Sequence, residues 1–329
     1  MTARHALTSM KRLVLFACVV MPFFLARALP AEAAASPANA TYSPIDYPGA
    51  SSTEANAVNR TSSIVRPVEV VGTYHDIQGA HGFLLSGGQY TRLDVPGGTS
   101  TRALGINAHH EIVGTYRDNL TARTCNFKYS QGTYTHVLGS CVLAGVRGIN
   151  NVGALVGRTC CSGLPSHHTG FVRSPTLFSD RLDVPGATEA EARGIDNNAL
   201  PHMVGYYSTS DHHKHGALWT GNGNTGASFD VAPGAYETVA NGINDSGQIV
   251  GSFTDARNRH RRGFLRGAEG DKTLAYPGAQ LTSANGINNP DVRGRFNVVG
   301  TYHWNSAFTT RGFIATVSPL VGGTDEGAR

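Results

Sequence analysis

The sequence predicts an all-β fold: a six-bladed β-propeller of four-stranded blades, preceded by an N-terminal signal peptide. Three observations predict it. One short phrase recurs along almost the whole chain, its copies are spaced by about one propeller blade, and the composition suits short strands and tight turns. The clearest copy is Gly242-Ile243-Asn244-Asp245-Ser246-Gly247-Gln248-Ile249-Val250-Gly251. Others are Gly105-Ile106-Asn107 leading to Ile112-Val113-Gly114, Gly148-Ile149-Asn150 leading to Leu155-Val156-Gly157, and Gly286-Ile287-Asn288 leading to Val298-Val299-Gly300, with weaker copies at Ala57-Val58-Asn59 and Gly194-Ile195-Asp196.

The Asn or Asp of each copy marks a unit, at 59, 107, 150, 196, 244 and 288, and the intervals are 48, 43, 46, 48 and 44 residues. A second marker, at Phe83, Phe127, Phe171, Ala217, Phe264 and Phe313, recurs at 44, 44, 46, 47 and 49. Two markers that agree on six units imply a repeat architecture. Four strands in about 45 residues match a propeller blade, and a closed ring leaves no long sheet edge exposed. Solenoid units usually run shorter and need end caps, which the sequence does not offer. Forty glycines against two tryptophans, with 15% charged residues, disfavour long amphipathic helices. The 329 residues are therefore read as one closed repeat domain rather than two.

Taken in order, residues 1–35 have the features of a signal peptide: Arg4, Lys11 and Arg12, then an apolar run from Leu13 to Ala26, then the small residues of Ala31-Glu32-Ala33-Ala34-Ala35. The rival reading keeps this segment as an anchor. The run is short for a bilayer and no second apolar run of about 20 residues follows, so the mature protein is expected to be secreted or periplasmic with no membrane span after cleavage. Removing the segment leaves 23 basic against 22 acidic residues, which excludes a general electrostatic attraction to nucleic acid. Residues 36–41 read as a linker, 42–319 as the propeller and 320–329 as a tail.

The first repeat opens at Tyr42–Tyr47, which ring closure should bring beside Arg311–Val317. The second unit shows four β-rich runs: Tyr90–Val95, Ala103–Asn107, Glu111–Arg117 and Thr124–Ser130. Pro-Gly pairs at Pro48, Pro96, Pro185 and Pro277, with a further one at Pro233, cannot continue a central strand and mark strand ends. Asp245-Ser246-Gly247 supplies a tight turn, through a side chain that bonds its own backbone and a glycine free to adopt positive φ. The third unit has Val137-Leu138-Gly139 where Asp-Val-Pro-Gly is expected, and its first strand is uncertain.

Ala80-His81-Gly82-Phe83, His168-Thr169-Gly170-Phe171 and His215-Gly216-Ala217 recur with the companion phrases Leu93-Asp94-Val95-Pro96-Gly97 and Leu182-Asp183-Val184-Pro185-Gly186. In these phrases the units resemble the extracellular repeats of the HAF family, named for a His-Ala-Phe-like triplet. The resemblance covers roughly residues 42–317. It implies an exported repeat protein with a propeller-like fold, and it brings no catalytic residues.

Outside the cytosol, cysteines can pair. Cys125 and Cys141 flank a hairpin turning near Gln131-Gly132 and are the expected disulfide. Adjacent Cys160 and Cys161 cannot close an ordinary loop; a strained vicinal bridge, bonds to other cysteines and free thiols stay open. Asp46, Asp94, Asp183 and Asp230 recur at equivalent places, and a recurring Asp is expected to satisfy backbone amides at a strand end, as is the Asn of each Gly-Ile-Asn.

Residues that break the repeat are the functional candidates. Asp211, His212, His213 and His215 are potential ligands for a divalent metal, weighed against a solvated loop. Arg257, Arg259, Arg261 and Arg262, with His260 and Arg266, form the densest positive stretch, suited to an anionic polymer or to solubility alone. His109-His110 and His167-His168 read as surface residues. No G-x-S-x-G elbow, H-E-x-x-H helix or P-loop occurs. The expected function is a monomeric binding or scaffold module for a glycan, peptide or envelope protein. The alternative is a funnel enzyme, a hydrolase, lyase or lactonase, that could need a metal cofactor. What lines the channel discriminates them: converging acids and histidines favour catalysis, whereas backbone, small residues and turns favour binding.

Overall fold

The computed structural model describes residues 39–319 except 60–66, 140, 142–143, 161–167, 175–177, 183, 222, 224–225, 232–234 and 305–308. The signal peptide, residues 36–38, the tail, Cys161, Asp183, Pro233 and His167 lie outside the described residues. Within them there are strands and no helix.

The first strand is β1 (Ala40–Ile45). Blade 1 is β2 (Ser52–Val58), β3 (Glu69–Asp76), β4 (Gly79–Ser86) and β5 (Gln89–Leu93), and blade 2 is β6 (Gly98–Ile106), β7 (Ile112–Asp118), β8 (Thr124–Ser130) and β9 (Thr133–His136). Blade 3 is β10 (Ala144–Ile149), β11 (Leu155–Cys160), β12 (His168–Arg173) and β13 (Phe178–Leu182), and blade 4 is β14 (Glu189–Ile195), β15 (His202–Ser208), β16 (Lys214–Thr220) and β17 (Gly226–Phe229). Blade 5 is β18 (Ala235–Ile243), β19 (Ile249–Asp255), β20 (Arg261–Gly267) and β21 (Gly270–Leu274), and blade 6 is β22 (Leu281–Ile287), β23 (Phe296–His303), β24 (Thr310–Val317) and, from the far end of the chain, β1. Every pair within a blade is antiparallel and sequential except β1 on β24, where Ala40 faces Val317 and Ile45 faces Gly312. That pairing closes the wheel as expected. It begins at Ala40, so the linker is shorter than the sequence suggested.

The sequence units are out of phase with the blades by one strand. Tyr90–Leu93 is the outermost strand of blade 1, not the first strand of blade 2, and the Gly-Ile-Asn strand is the innermost of every blade. The strand left in doubt near Val137 is present as β9, only four residues long.

Two recurring packing solutions build each blade. The Phe of the third strand, at 83, 127, 171, 264 and 313, is 0–1% exposed and lies on the glycine of the second strand, at 72, 114, 157, 251 and 300. A Cβ on any of these glycines would overlap both that aromatic ring and an innermost-strand carbonyl. Blade 4 carries Ala217 at the Phe position, and fully buried Trp219, two residues on and so on the same face of the strand, supplies aromatic bulk to the same core. Buried threonines of the innermost strands close the Pro-Gly connections: Thr53, Thr101, Thr238 and Thr282 accept from the amides of Tyr47, Val95, Val231 and Tyr276 at 3.0–3.2 Å.

The blades are stitched laterally where the innermost strands end. Asn107 Oδ1 accepts from the amides of His109 and Glu111, while its Nδ2 donates 3.0 Å to the Asn150 carbonyl of the next blade. Asn150 repeats this toward the Asp196 carbonyl at 3.0 Å, and Asn244 toward the Asn288 carbonyl at 3.1 Å. One residue further on, the amides of Ala108, Asn151, Asn197 and Asp245 donate to the side-chain oxygens of Asn151, Asn197, Asp245 and Asn289 at 2.7–2.9 Å. Asp196 has no donor to reach forward with, and Asn197 and Asn198 of the same turn bond Asp245 instead.

Two glycines of one phrase separate these effects. Gly251→Ala drives a methyl into the Val239 carbonyl and the Phe264 ring and should cost about 3 kcal/mol or more. Gly247 sits at φ 76° in open space, so Gly247→Ala should cost only about 1–2 kcal/mol of left-handed strain. Urea unfolding of the two variants measures the difference.

Candidate functional site: the axial channel

Each innermost strand loses register with its neighbour at one equivalent residue. The skipped residues are Asn56, Leu104, Arg147, Arg193, Asn241 and Asn285, one per blade, each just ahead of the Gly-Ile-Asn position. A β-bulge re-aims a side chain that would otherwise follow the strand's alternation. Here the six bulge residues line one axial cavity of about 130 Å³. The glycine after five of the six bulges lets adjacent innermost strands approach closely: a Cβ on Gly148 or Gly194 would lie 2.7 or 2.9 Å from backbone atoms of the next blade.

The six side chains divide by role. Asn56, Asn241 and Asn285 donate to the carbonyls of Ala103, Ala284 and Ala55 at 2.8–3.0 Å, so their amides tie blade to blade. Leu104 is apolar. Arg147 and Arg193 stand side by side on blades 3 and 4 and share Glu191, whose side chain is 1% exposed: Arg147 Nε donates to Oε1 at 2.5 Å, and Arg193 Nε lies 3.3 Å from the same oxygen. Arg193 Nη1 donates to Asn241 Oδ1 at 2.9 Å. Behind them Arg158 Nη1 is 3.7 Å from Glu189 and 3.9 Å from Glu191. The Tyr206 hydroxyl lies 3.0 Å from Glu189 Oε1 and 3.1 Å from Glu191 Oε2; it has one proton, so it serves one carboxylate at a time.

Burial alone would raise the Glu191 carboxyl, but the charges of Arg193, Arg147 and Arg158 and the Arg147 hydrogen bond outweigh it and hold the carboxyl down at about 2. Burial, the neighbouring carboxylate charge and the hydrogen bond to Glu189 push the Tyr206 phenol well above its usual range. The cluster is therefore a fixed set of charges at neutral pH.

Of the sequence-predicted metal ligands the structure brings only His213 Nδ1 and Asp211 Oδ2 near each other, at 3.9 Å. His215 Nδ1 bonds Asp230 at 2.9 Å and its ring stacks on Tyr207, while the His213 ring lies 4.1 Å from the Tyr236 ring. His212 takes positive φ, and Asp211 Oδ1 accepts from Thr209 and the His213 amide to close the turn. Among the described residues no three His, Cys, Asp or Glu side chains are grouped to hold a metal. Local turn bonds and separate partners for His213 and His215 disperse what looked dense in the sequence.

The arginine stretch also divides. Arg259 lies over Tyr236 at 3.6 Å, Arg261 approaches His303 closely enough to depress its pKa together with burial, and Arg266 is held by Asp271 at 2.6 and 2.7 Å. The Arg257 amide closes the turn on Asp255, and Arg262 pairs with Phe253 in the ladder. Arg259 and His213 thus meet on Tyr236, between the outer connections of blades 4 and 5.

The recurring aspartates do other work than expected. Asp94 holds His81 at 3.0 Å and Arg92 at 2.5 Å, Asp230 holds His215, and Asp46 pairs with Arg311 at 3.1 Å. The amides they were expected to satisfy are taken by the threonines described above. Cys125 and Cys141 are joined by a disulfide, although Cys141 lies beyond the hairpin strand, in the connection to blade 3. His110 bonds buried Glu69 at 2.6 Å, and the His168 Nδ1 is buried rather than at the surface.

Sequence reasoning missed Arg147 and Arg193. The available signal was that the residue before each Gly-Ile-Asn or its equivalent ranges over Asn, Leu and Arg, while its neighbours are Ala or Val before it and Gly or Ala after it.

No family model and no curated protein sequence matches the chain. Solved structures of similar shape include a gluconolactonase, XC5397 of Xanthomonas campestris (TM-score 0.45, 11% identity, covering 86% of this chain and 96% of that one). They also include the SapL1 lectin in complex with alpha methyl fucoside (0.42, 11%, 83% and 98%) and the fucose-specific lectin of Aleuria aurantia (0.40, 13%, 84% and 98%). Matches at this TM-score and identity carry no argument about this chain.

Because the folded-state pKa of Glu191 is depressed, its contribution to stability is present above about pH 4.5 and is lost as pH falls toward about 2. Glu191→Gln should therefore be less stable than the wild type at pH 7, by about 3 kcal/mol. The gap should close between about pH 4.5 and pH 2, as read from unfolding midpoints along a pH series; parallel curves would contradict the assignment.

Proposed function

We propose that this propeller is an exported binding module that holds a polar ligand, a glycan, peptide or envelope protein, at its axial channel without transforming it. The supporting observation is the make-up of the channel. Its six lining positions are three amides, two guanidiniums and a leucine, with no acid or imidazole among them. General acid–base catalysis needs a group whose pKa lies near the operating pH. The acid nearest the channel, Glu191, is kept ionised by three arginines and sits far below that range, so it is a poor base and has no proton to give. The funnel-enzyme alternative needs several acids or histidines converging from different blades, and the channel positions do not supply them.

Export of the chain and its action outside the cytosol belong to this proposal, resting on residues 1–35. An extracellular polysaccharide is the first ligand class to examine, because the polar channel walls and the two channel arginines suit hydroxyl and carboxylate groups.

A glycan array and immobilised envelope fractions, probed with mature protein, test the reading. The expected result is salt-sensitive retention on at least one ligand, released unchanged in mass. Retention absent from every glycan and envelope fraction, or conversion of the bound material, would overturn it.

A further inference from the structure

The two channel arginines are the only charged members of the six bulge positions, and they are adjacent. A pair of like charges side by side needs a reason. Glu191 supplies part of it, but the balance of the cluster is uneven: Arg147, Arg158 and Arg193 face Glu189 and Glu191, three cations against two carboxylates. Lys214 Nζ, 4.8 Å above the Tyr206 ring, adds positive charge nearby.

The hydrogen-bond inventory is also incomplete. A guanidinium has five N–H donors. Among the described residues Arg147 uses only Nε, and Arg193 uses Nη1, while its fully buried Nε has no hydrogen bond of good geometry. The η-nitrogens of Arg147 and Nη2 of Arg193 have no acceptor among the described residues, yet both side chains line the cavity. Glu191 occupies one edge of each fork and thereby sets its orientation. What remains is a preset group of donors with surplus positive charge at a small polar cavity.

We infer, building on the binding-module reading above, that the Arg147–Arg193 pair is a recognition site for a single carboxylate group on a polar ligand. Carboxylate geometry matches a guanidinium fork bidentately, and the charge of one carboxylate offsets surplus positive charge at the pair. A cavity of about 130 Å³ is below the usual size of a pocket that swallows a whole ligand, so it takes the anionic group and its nearest carbons while the rest of the ligand stays at the mouth. Glu191 is a positioning residue: it holds both forks and does not touch the ligand. The same carboxylate chemistry occurs in a free sugar acid and in the uronic-acid unit of a polysaccharide.

Side-chain NMR of the arginine Nε resonances in the wild-type mature protein reads the site without altering it. Titration with galacturonate at low salt should shift two of these resonances, assigned to Arg147 and Arg193 by single substitution, and neutral galactose should leave them in place. Arg147→Gln and Arg193→Gln should each weaken galacturonate binding at least tenfold by calorimetry, and Arg147→Lys, which keeps the charge and loses the fork, should also weaken it. A polygalacturonate arm separates the sources: tighter binding than the monomer assigns the site to a polymer, and equal or weaker binding assigns it to free acids. Unmoved arginine resonances, equal shifts with galactose, or tighter binding of inorganic phosphate than of galacturonate would overturn the inference. If the arginines stay unmoved while the array finds a ligand elsewhere, this inference falls and the binding-module reading survives. Conversion of the retained ligand removes the binding-module reading, whatever the arginines do.

Discussion

Asn150 is 1% exposed, buried where two blades meet, and both ends of its amide are used: the oxygen accepts the Ala154 amide of its own turn, and the nitrogen donates to the Asp196 carbonyl of the next blade. A buried amide with an unmet donor or acceptor costs about 1–3 kcal/mol, so such a residue is stable only when both partners are in place. Asn107 and Asn244 make the same two-way connection. A four-stranded sheet has no intrinsic reason to stop beside another at a fixed angle. Hydrogen bonds that run from turn to turn supply that reason, and β1 on β24 lets the sequence of blades return to its start.

The same constraint shapes the channel. Stitching at the turns draws the innermost strands together, and the glycine ahead of each Ile or Val tolerates the approach. The bulge just before that glycine then has one place to send its side chain, toward the axis. Five of the six blades use the glycine, and blade 1 uses Ala57. Structural repetition thus leaves one free choice per blade at the channel: three blades hold Asn, which reinforces the ring, one holds Leu, and two neighbouring blades hold Arg. Function enters where the repeat permits variation and the backbone guarantees position.

Much of this was legible in the sequence. Blade number, ring closure by Tyr42–Tyr47 and the turn role of the repeated Asn follow from periodicity and turn chemistry, which are local. What was not legible depends on geometry between strands. A bulge leaves no residue signature in its own strand, so Arg147 and Arg193 looked like ordinary strand residues. The aspartates of the recurring phrases were assigned to backbone amides because their partners His81, His215 and Arg311 lie on other strands, while only Arg92 is close to its Asp94 in sequence. Asp211, His212, His213 and His215 looked like a ligand set because sequence proximity hides the turn bonds of Asp211 and the separate aromatic and carboxylate partners of His213 and His215. Blade phase was misread by one strand for a related reason: a repeat has no marked beginning, and only the pairing of β1 shows where the ring was cut.

Turn-to-turn hydrogen bonds fasten blades 2 to 6 to one another, and amide hydrogen exchange tests this most directly. The amides of Ala108, Asn151, Asn197 and Asp245 lie in half-exposed turns, where exchange is ordinarily fast. If each donates across a blade boundary, all four should exchange as slowly as the innermost-strand amides beside them, with the same opening free energy. Exchange at the rate of the Asp118–Arg123 or Asp255–His260 connections would contradict the account.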